Sequence, residues 1–249
     1  MEQDAATRRA WRDGLGVSLA TSAYGVSFGA LGVAAGLDIW QTCVLSLLMF
    51  TGGSQFAFIG VVASGGIGAL PAAIASAVLL GVRNVAYGLR MAPIVGDGIG
   101  RRLAATPFTI DESAAVSLAQ SSPRARRVGF WVTGVAIYLG WNLSTLLGAL
   151  LGDVLGDPRA YGLDAAAAAA FLALLWPRLR RGEAVVVGGA AGVVAAVVTP
   201  VTVPGVPVLI AGAVAVALAL LWPGGKSRAS TGGGPDGASP DVAERRGSP

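Results

Sequence analysis

The chain has 249 residues, of which 54% are hydrophobic and only 13% are charged. Soluble domains carry about 25% charged residues, so this composition excludes an ordinary soluble fold and is typical of an integral membrane protein. The net charge is +4, but the arginines lie beside apolar segments, which indicates membrane orientation signals rather than a nucleic-acid surface. One cysteine and no histidine exclude an internal disulfide and any metal site or proton relay built on histidine.

Apolar segments predict the membrane helices, and the longest of them exceed the roughly 18 residues that suggest a spanning helix. The second segment contains a polar run, and the fourth is short and acidic. We therefore predict an all-α, polytopic transmembrane helical bundle with six firm spans plus two segments that are re-entrant or short. In chain order the eight segments are 14–36, 40–64, 67–95, 106–120, 128–152, 163–176, 184–200 and 206–222.

The two ends of the chain differ from its middle. Residues 1–13 show no signal-peptide pattern and are expected to form a cytoplasmic N-terminal segment. Residues 14–222 are expected to form one integral membrane domain. Residues 223–249 are rich in Gly, Pro and Ser, so we expect a disordered cytoplasmic tail that has nothing apolar to bury.

Clusters of basic residues predict which loops face the cytoplasm. By the positive-inside rule they place both termini there, but Arg101 and Arg102 leave an ambiguity. If the second apolar segment crosses the membrane, these two arginines lie outside. If it turns back at its glycines, they lie inside, and the fourth segment becomes an in-plane or half-length helix. The clusters are Arg8, Arg9 and Arg12; Arg124, Arg126 and Arg127; Arg178, Arg180 and Arg181; and Lys226 and Arg228.

The polar run TGGSQ interrupts the second apolar segment. Its two glycines free the backbone dihedrals, and a broken helix in a membrane is tolerated only where it is buried in protein or lines a wet cavity. A half-helix end exposes N–H groups that attract a carboxylate. Close helix packing at the glycines is the alternative, but packing alone gains nothing from an amide side chain. We predict substrate contacts from Thr51, Gly52, Gly53, Ser54 and Gln55.

Polar residues in three other segments are further candidates. Tyr24 lies in the first segment, whose glycine spacing mainly favours close helix packing, and we retain it as a pathway residue. Arg83, followed by Asn84, either snorkels to the interface or faces inward and binds a carboxylate. Asp111 and Glu112 either belong to a capped first helical turn or meet a substrate ammonium group or a proton. Since the chain has no histidine, they are the leading proton-coupling candidates.

The sequence contains no catalytic constellation. It has no Gly-rich phosphate loop with a lysine, no Asp-rich metal motif and no Ser–His pairing. We therefore predict that the protein is not an enzyme and requires no cofactor or metal. Any uphill transport then depends on an ion gradient or on a partner.

Four motifs, taken in order, resemble the AzlC family, the large subunit of branched-chain amino acid exporters. The resemblance is strongest over residues 12–155. The motifs are YGVSFGALGVAAGL (24–37), SLLMFTGGSQFAFIGVVASG (46–65), VRNVAYGLRMAP (82–93) and FTIDESAAV (108–116).

The resemblance implies a secondary transporter of the bacterial cytoplasmic membrane that exports Leu, Ile or Val together with a small hydrophobic AzlD-like subunit. Many family members carry Asn two residues before the motif arginine, where this chain has Gly81, which leaves the substrate open. A channel for a small neutral solute is the alternative function. The family's motif positions fall on Gly52, Gly53, Gln55, Phe56, Arg83, Asp111 and Glu112.

These expectations combine into one mechanism. The break at 51–55 and Arg83 would hold a carboxylate, and a backbone carbonyl or Asp111 or Glu112 would hold an ammonium group. Protonation of either acid would bias inward-facing against outward-facing states. The side-chain pocket would be formed by Phe50, Phe56 and Phe58.

Overall fold

The structure is a computed structural model that describes residues 2–155 and 182–221, together with Leu172, Trp176 and Leu179. Most of the sixth apolar segment, Arg178, Arg180 and Arg181, and the predicted tail lie outside the described residues. The described helices are α1 (Glu2–Ala34), α2 (Ile39–Leu48), α3 (Gly53–Gly65), α4 (Leu70–Gly81), α5 (Arg83–Val95), α6 (Ile99–Ala105), α7 (Asp111–Leu118), α8 (Pro123–Leu155), α9 (Gly182–Val198) and α10 (Val206–Leu221). Short 3₁₀ turns occupy Ile67–Ala69, Thr106–Phe108 and Thr199–Val201.

Within these residues all regular secondary structure is helical, so the predicted all-α class is confirmed. Four stretches are long and apolar enough to cross a membrane, and α2, α3 and α10 are apolar but shorter. The prediction of six firm spans is therefore confirmed only in part, because α10 has 16 residues and the sixth segment lies largely outside the description. The four long stretches are Gln3–Ala34, Ile67–Val95, Pro123–Val154 and Gly182–Val201.

The centre of the fold is a close, parallel pair formed by α1 and α8. Glycines permit the approach: a Cβ on Gly25 would lie 2.7 Å from the Trp141 carbonyl oxygen, and one on Gly152 would lie 3.0 Å from Cα of Ala30. Contacts follow the same order along both helices, so both helices begin at the same end of the bundle. The glycine spacing in the first apolar segment thus serves the close packing that it predicts.

The second apolar segment is not one helix, and its first half, α2, runs antiparallel to α8. α2 begins next to the C-terminal end of α1, where Asp38 caps it. Farther along, Ser46 Oγ lies 3.2 Å from Thr145 Oγ1, and the Tyr138 hydroxyl donates to the Leu47 carbonyl at 3.3 Å. α2 therefore ends near the middle of α8.

The second half, α3, returns to the end from which α2 came. Near its start the Phe56 ring meets Phe28 of α1 at a centroid distance of 5.8 Å. Near its end Val62 belongs to a buried cluster against which Ala35 packs, just beyond the C-terminus of α1. Together α2 and α3 form a hairpin whose turn lies halfway through the bundle.

The fourth apolar segment forms a second hairpin that enters from the opposite end. Phe108, which follows α6, packs closely against α8: a Cβ added to Gly134 would lie 2.7 Å from Cβ of Phe108. α7 then returns, and near its end Ser117 Oγ donates to the Arg126 carbonyl at 2.9 Å. Along the chain, α4 and α5 connect the two hairpins and run from one end of the bundle to the other. α5 ends near the start of α8, because Arg127 Nε donates to the Ile94 carbonyl at 3.0 Å.

Contacts at one end of the bundle distinguish the two arrangements that the sequence allowed for Arg101 and Arg102. Gln120 Nε2 donates to Asp13 at 3.4 Å, which joins the end of α7 to the start of α1. The Arg101 and Arg127 guanidinium groups both lie within 4 Å of the position that a Cβ would take on Gly96. The arginines before α8 and in the α5–α6 region therefore share one end with the start of α1, which we call the basic end. The structure matches the alternative in which the second segment turns back at its glycines.

Candidate functional site

A cavity of about 160 Å³ lies where the turns of the two hairpins meet. Three of its sides come from the middles of α1 and α8 and from the junction of α4 and α5. The remaining sides are the two hairpin turns themselves. Its lining residues are Thr21, Tyr24, Phe50, Thr51, Gly52, Gly53, Phe56, Arg83, Ile110, Asp111, Glu112, Ile137 and Trp141.

The turn between α2 and α3 depends on glycine. Gly52 has φ +50° and ψ −85°, a conformation that L side chains rarely adopt. The Thr51 N–H donates to the Met49 carbonyl at 2.8 Å, which tightens the turn. α3 then starts at Gly53, and the first N–H groups of a helix have no partner within it. The positive end of α3 thus borders the cavity.

Gln55 ties the two halves of this hairpin together. Its side chain is fully buried, and its Nε2 donates to the Ser46 carbonyl of α2 at 3.2 Å. That carbonyl belongs to the last turn of α2, where backbone acceptors lose their helical partners. Neither Gln55 nor the buried Ser54 lines the cavity, so this conformation places both behind the turn rather than in the site.

The turn of the other hairpin is held by Ser113. Its hydroxyl accepts from the Ile110 N–H at 3.2 Å and donates to the Phe108 carbonyl at 2.6 Å. Thr109, whose residue type would suit a helix cap, instead donates to the Ala105 carbonyl at 2.9 Å. Ser113 therefore fixes the start of α7, which carries two acids in its first turn.

Arg83 and Asp111 form an ion pair across the cavity, with 3.0 Å between Arg83 Nη1 and Asp111 Oδ2. Arg83 is the first residue of α5, just after the irregularity at Val82 between α4 and α5. Both side chains are partly exposed, at 34% and 23%, because they face the cavity. Glu112 also lines the cavity but forms no ion pair with any residue in the described part of the chain.

Aromatic and branched side chains form the apolar wall. The Phe56 ring meets Trp141 edge-on at 6.1 Å, and Phe50 meets Tyr138 at 4.9 Å. Such edge-to-face pairs hold rings in fixed orientations. Phe58, predicted to share this wall, does not line the cavity. It packs against the buried cluster that contains Phe50, Phe56 and Trp141 and against a second cluster around Val62.

Three polar atoms on cavity-lining residues find no partner among the described atoms. They are Thr51 Oγ1, Arg83 Nε and Trp141 Nε1. All three can donate a hydrogen bond, and buried polar groups in proteins are nearly always paired. A surplus of donors favours a ligand group that accepts hydrogen bonds.

The structure brings together most of the residues singled out from the sequence. Three predicted substrate contacts do not line the cavity: Ser54 and Gln55 lie behind the turn between α2 and α3, and Asn84 faces an adjoining groove. The lining residues among the candidates are Tyr24, Phe50, Thr51, Gly52, Gly53, Phe56, Arg83, Asp111 and Glu112.

Sequence reasoning missed four lining residues: Thr21, Ile110, Ile137 and Trp141. One signal was available, because Trp141 is the one tryptophan that falls in the middle of an apolar segment rather than near an end. Ile137 lies one helical turn before it and therefore shares its face of α8. The other two are ordinary residues whose position becomes informative only once the hairpins are placed.

The arrangement suits a small, partly apolar, zwitterionic molecule. A cavity of about 150 Å³ can hold a ligand of benzene size, and the 160 Å³ here is of the same order. One end of the cavity offers a cation and a helix N-terminus, and the neighbouring acids offer negative charge. The described residues include no group of three His, Cys, Asp or Glu side chains placed to hold a metal ion.

Comparison with known proteins agrees with the resemblance drawn from the motifs. The family model described as "AzlC protein" matches residues 16–155. This range contains all of α2 to α8, most of α1, and every residue that lines the cavity. No curated protein and no solved structure matches the chain.

Proposed function

Because the chain belongs to the AzlC family, we propose that it is a secondary transporter that exports branched-chain or similar apolar amino acids. The family is associated with branched-chain amino acid transport. The single observation that carries the proposal is the cavity at the meeting point of the two hairpins, in which an apolar wall lies beside an ion pair. We propose that the cavity is the substrate site and that the bundle lies in the bacterial cytoplasmic membrane with the basic end inside.

The substrate carboxylate is held by Arg83 and by the N-terminal end of α3. Arg83 offers donors in a fixed fork, which suits carboxylate recognition. Thr51 Oγ1 and the first N–H groups of α3 add further donors at the same side of the cavity. A negative group at a helix N-terminus gains about 0.3–1 kcal/mol, and up to about 2 kcal/mol in partly buried sites.

Asp111 and Glu112 have different roles in this mechanism. Asp111 is already paired with Arg83, so an amino acid replaces this ion pair when its carboxylate takes Arg83 and its ammonium takes Asp111. Glu112 has no such cation in the described structure and remains available to bind a proton. Protonation of Glu112 would then bias the bundle between its inward-facing and outward-facing states.

The substrate side chain lies against the apolar wall. Phe50, Phe56, Ile137 and Trp141 are each at most 7% exposed, so the substrate side chain meets closely packed apolar groups. A side chain of about four carbons fits beside the charged groups in a cavity of about 160 Å³. This supports leucine, isoleucine or valine rather than larger solutes.

A small hydrophobic AzlD-like subunit is proposed as the partner. AzlC proteins typically work with such a subunit, and α9 has no buried residue in the described chain. A helix with no fully buried residue leaves much of its apolar surface available to lipid or to another membrane protein.

Efflux of preloaded, labelled leucine tests the proposal. Cells would express the chain alone, the chain with the small subunit encoded beside it, and that pair with Arg83→Gln or Arg90→Gln. Arg90 lies on α5 but is exposed and outside the cavity, so it serves as the matched control. We expect saturable export that is lost with Arg83→Gln and kept with Arg90→Gln.

Two results would contradict the proposal. Equal export by both arginine variants would remove Arg83 from the site. Flux that rises linearly with leucine concentration would favour a channel for small neutral solutes, since a channel does not saturate as a carrier does.

A further inference from the structure

A second hollow lies beside the cavity and reaches the basic end. It is a groove of about 690 Å³ between the end of α2, one face of α5 and the α6 region. Its deep end contains Phe50 and Thr51, which also line the cavity. Its other end contains Val95 and Arg102. We call it the α5 groove.

Two polar side-chain atoms at the deep end of the α5 groove have no hydrogen-bond partner in the described part of the chain. Asn84 Oδ1 and Thr51 Oγ1 are both buried without a partner among the described atoms. Burying such groups costs free energy unless water or a solute pairs with them. At the mouth, Arg102 is exposed and brings positive charge to the basic end. A groove filled by lipid tails would satisfy none of these groups.

We propose that the α5 groove is the water-filled route by which the substrate passes between the basic side of the membrane and the cavity. This proposal takes the identity of the solute from the proposed function. The groove holds about four times the volume of the cavity, enough for a solute with part of its hydration. Asn84, which the sequence suggested as a substrate contact, then acts along the route rather than in the site.

Phe50 is the barrier between the groove and the cavity. It is 7% exposed, and its ring stands against Tyr138 of α8 at a centroid distance of 4.9 Å. Phe50 lies in the turn between α2 and α3 rather than in a helix, so its ring can move without unwinding a helix. Displacement of this one ring would join the two hollows.

Thiol accessibility tests the route without requiring transport. Cys43 is the one cysteine in the chain, so Cys43→Ala gives a background for single-cysteine variants. Gly88→Cys and Ala92→Cys place thiols in the groove, and a Cβ on Gly88 meets nothing within 4 Å. Ala86→Cys lies on α5 outside the groove and is exposed. Ala5→Cys marks the basic end.

The probe is a charged, membrane-impermeant thiosulfonate, applied separately to intact cells and to inside-out vesicles. Only ionised thiols in contact with water react. We expect both groove cysteines to react from the same side as Ala5→Cys, and at least about tenfold faster than Ala86→Cys. The size-exclusion profile of each purified variant confirms that it is folded.

Other results would overturn the route. If the groove cysteines react as slowly as Ala86→Cys, lipid or a helix of another subunit fills the groove. Reaction only from the side opposite to Ala5→Cys would place the groove on the wrong face. Either result leaves the leucine efflux experiment unaffected, so failure of the route is distinguishable from failure of the proposed function.

A cysteine inside the cavity tests the barrier. In the same background Thr21→Cys should react slowly from the basic side while Phe50 is present. Combining it with Phe50→Ala should raise the rate several-fold. Phe50→Leu, which keeps more of the volume, guards against misfolding and should give an intermediate rate. Equal rates in all three proteins would show that Phe50 does not separate the groove from the cavity.

Discussion

At the scale of single residues, the proposed site holds a cation and an anion that are paired with each other in the structure. Arg83 Nη1 and Asp111 Oδ2 lie 3.0 Å apart, so each charged group has a partner of opposite charge. An amino acid carries the same two charges in one molecule, so it can replace the pair at little electrostatic cost. In the proposed mechanism Glu112 takes no part in that exchange and binds the proton instead.

Variants of the two acids should therefore separate binding from coupling. Asp111→Asn removes the carboxylate that receives the ammonium, and hydrogen bonds to charged groups contribute about 1.5–3 kcal/mol, so leucine affinity should fall about tenfold or more. Glu112→Gln should keep the affinity but abolish the response of export to an imposed pH gradient. Both are measured by leucine binding to purified protein and by export in vesicles. A reversed pattern would exchange the two roles.

Gln55 is expected to act on the turn rather than on the ligand, because it is buried and does not line the cavity. Gln55→Leu keeps a similar volume but removes the hydrogen bond to the Ser46 carbonyl. We expect the free energy of unfolding to fall by about 1 kcal/mol, with leucine affinity unchanged in the protein that remains folded. Thermal unfolding in detergent and a binding isotherm measure the two effects. Loss of affinity without loss of stability would show instead that Gln55 contacts the substrate, as the sequence suggested.

At the scale of elements, the two hairpins place two helix N-termini at the same depth. α3 and α7 run in opposite directions away from the cavity, so each points its positive end toward it. The sequence predicted the first break, because two adjacent glycines beside three polar side chains disfavour an unbroken helix in an apolar segment. It left the second segment's direction open, since the return of α3 depends on contacts with α1 that no local pattern encodes.

Gly52 is the position at which the first hairpin is most sensitive. Gly52→Ala forces a side chain into φ +50°, which should destabilise the fold by roughly 1–3 kcal/mol and disturb the turn. Gly60→Ala is the matched control, because a Cβ on Gly60 meets nothing within 4 Å and alanine favours the helix by about 0.5–1 kcal/mol. The unfolding temperature and leucine export should both fall only in the first variant. Equal behaviour of the two would mean that the turn is not held in this conformation.

At the scale of the whole molecule, the parallel pair of α1 and α8 forms a frame around two opposed hairpins. The composition predicted a helical membrane protein, and the arginine clusters predicted the common end of the start of α1 and the start of α8. The sequence did not predict that Thr21, Ile137 and Trp141 line the cavity. Their contribution depends on the parallel packing of α1 and α8, which brings together residues more than a hundred positions apart, such as Gly25 and Trp141.

The central claim is that the cavity between the hairpins recognises both charges of an amino acid and a small apolar side chain. Competition against labelled leucine on the purified protein with its small subunit tests this most directly. The competitors would be unlabelled leucine, leucinamide, which lacks the carboxylate, and 4-methylpentanoate, which lacks the ammonium group. Only unlabelled leucine should displace the label at low concentration. Displacement by either single-charge analogue as efficiently as by leucine would contradict the claim.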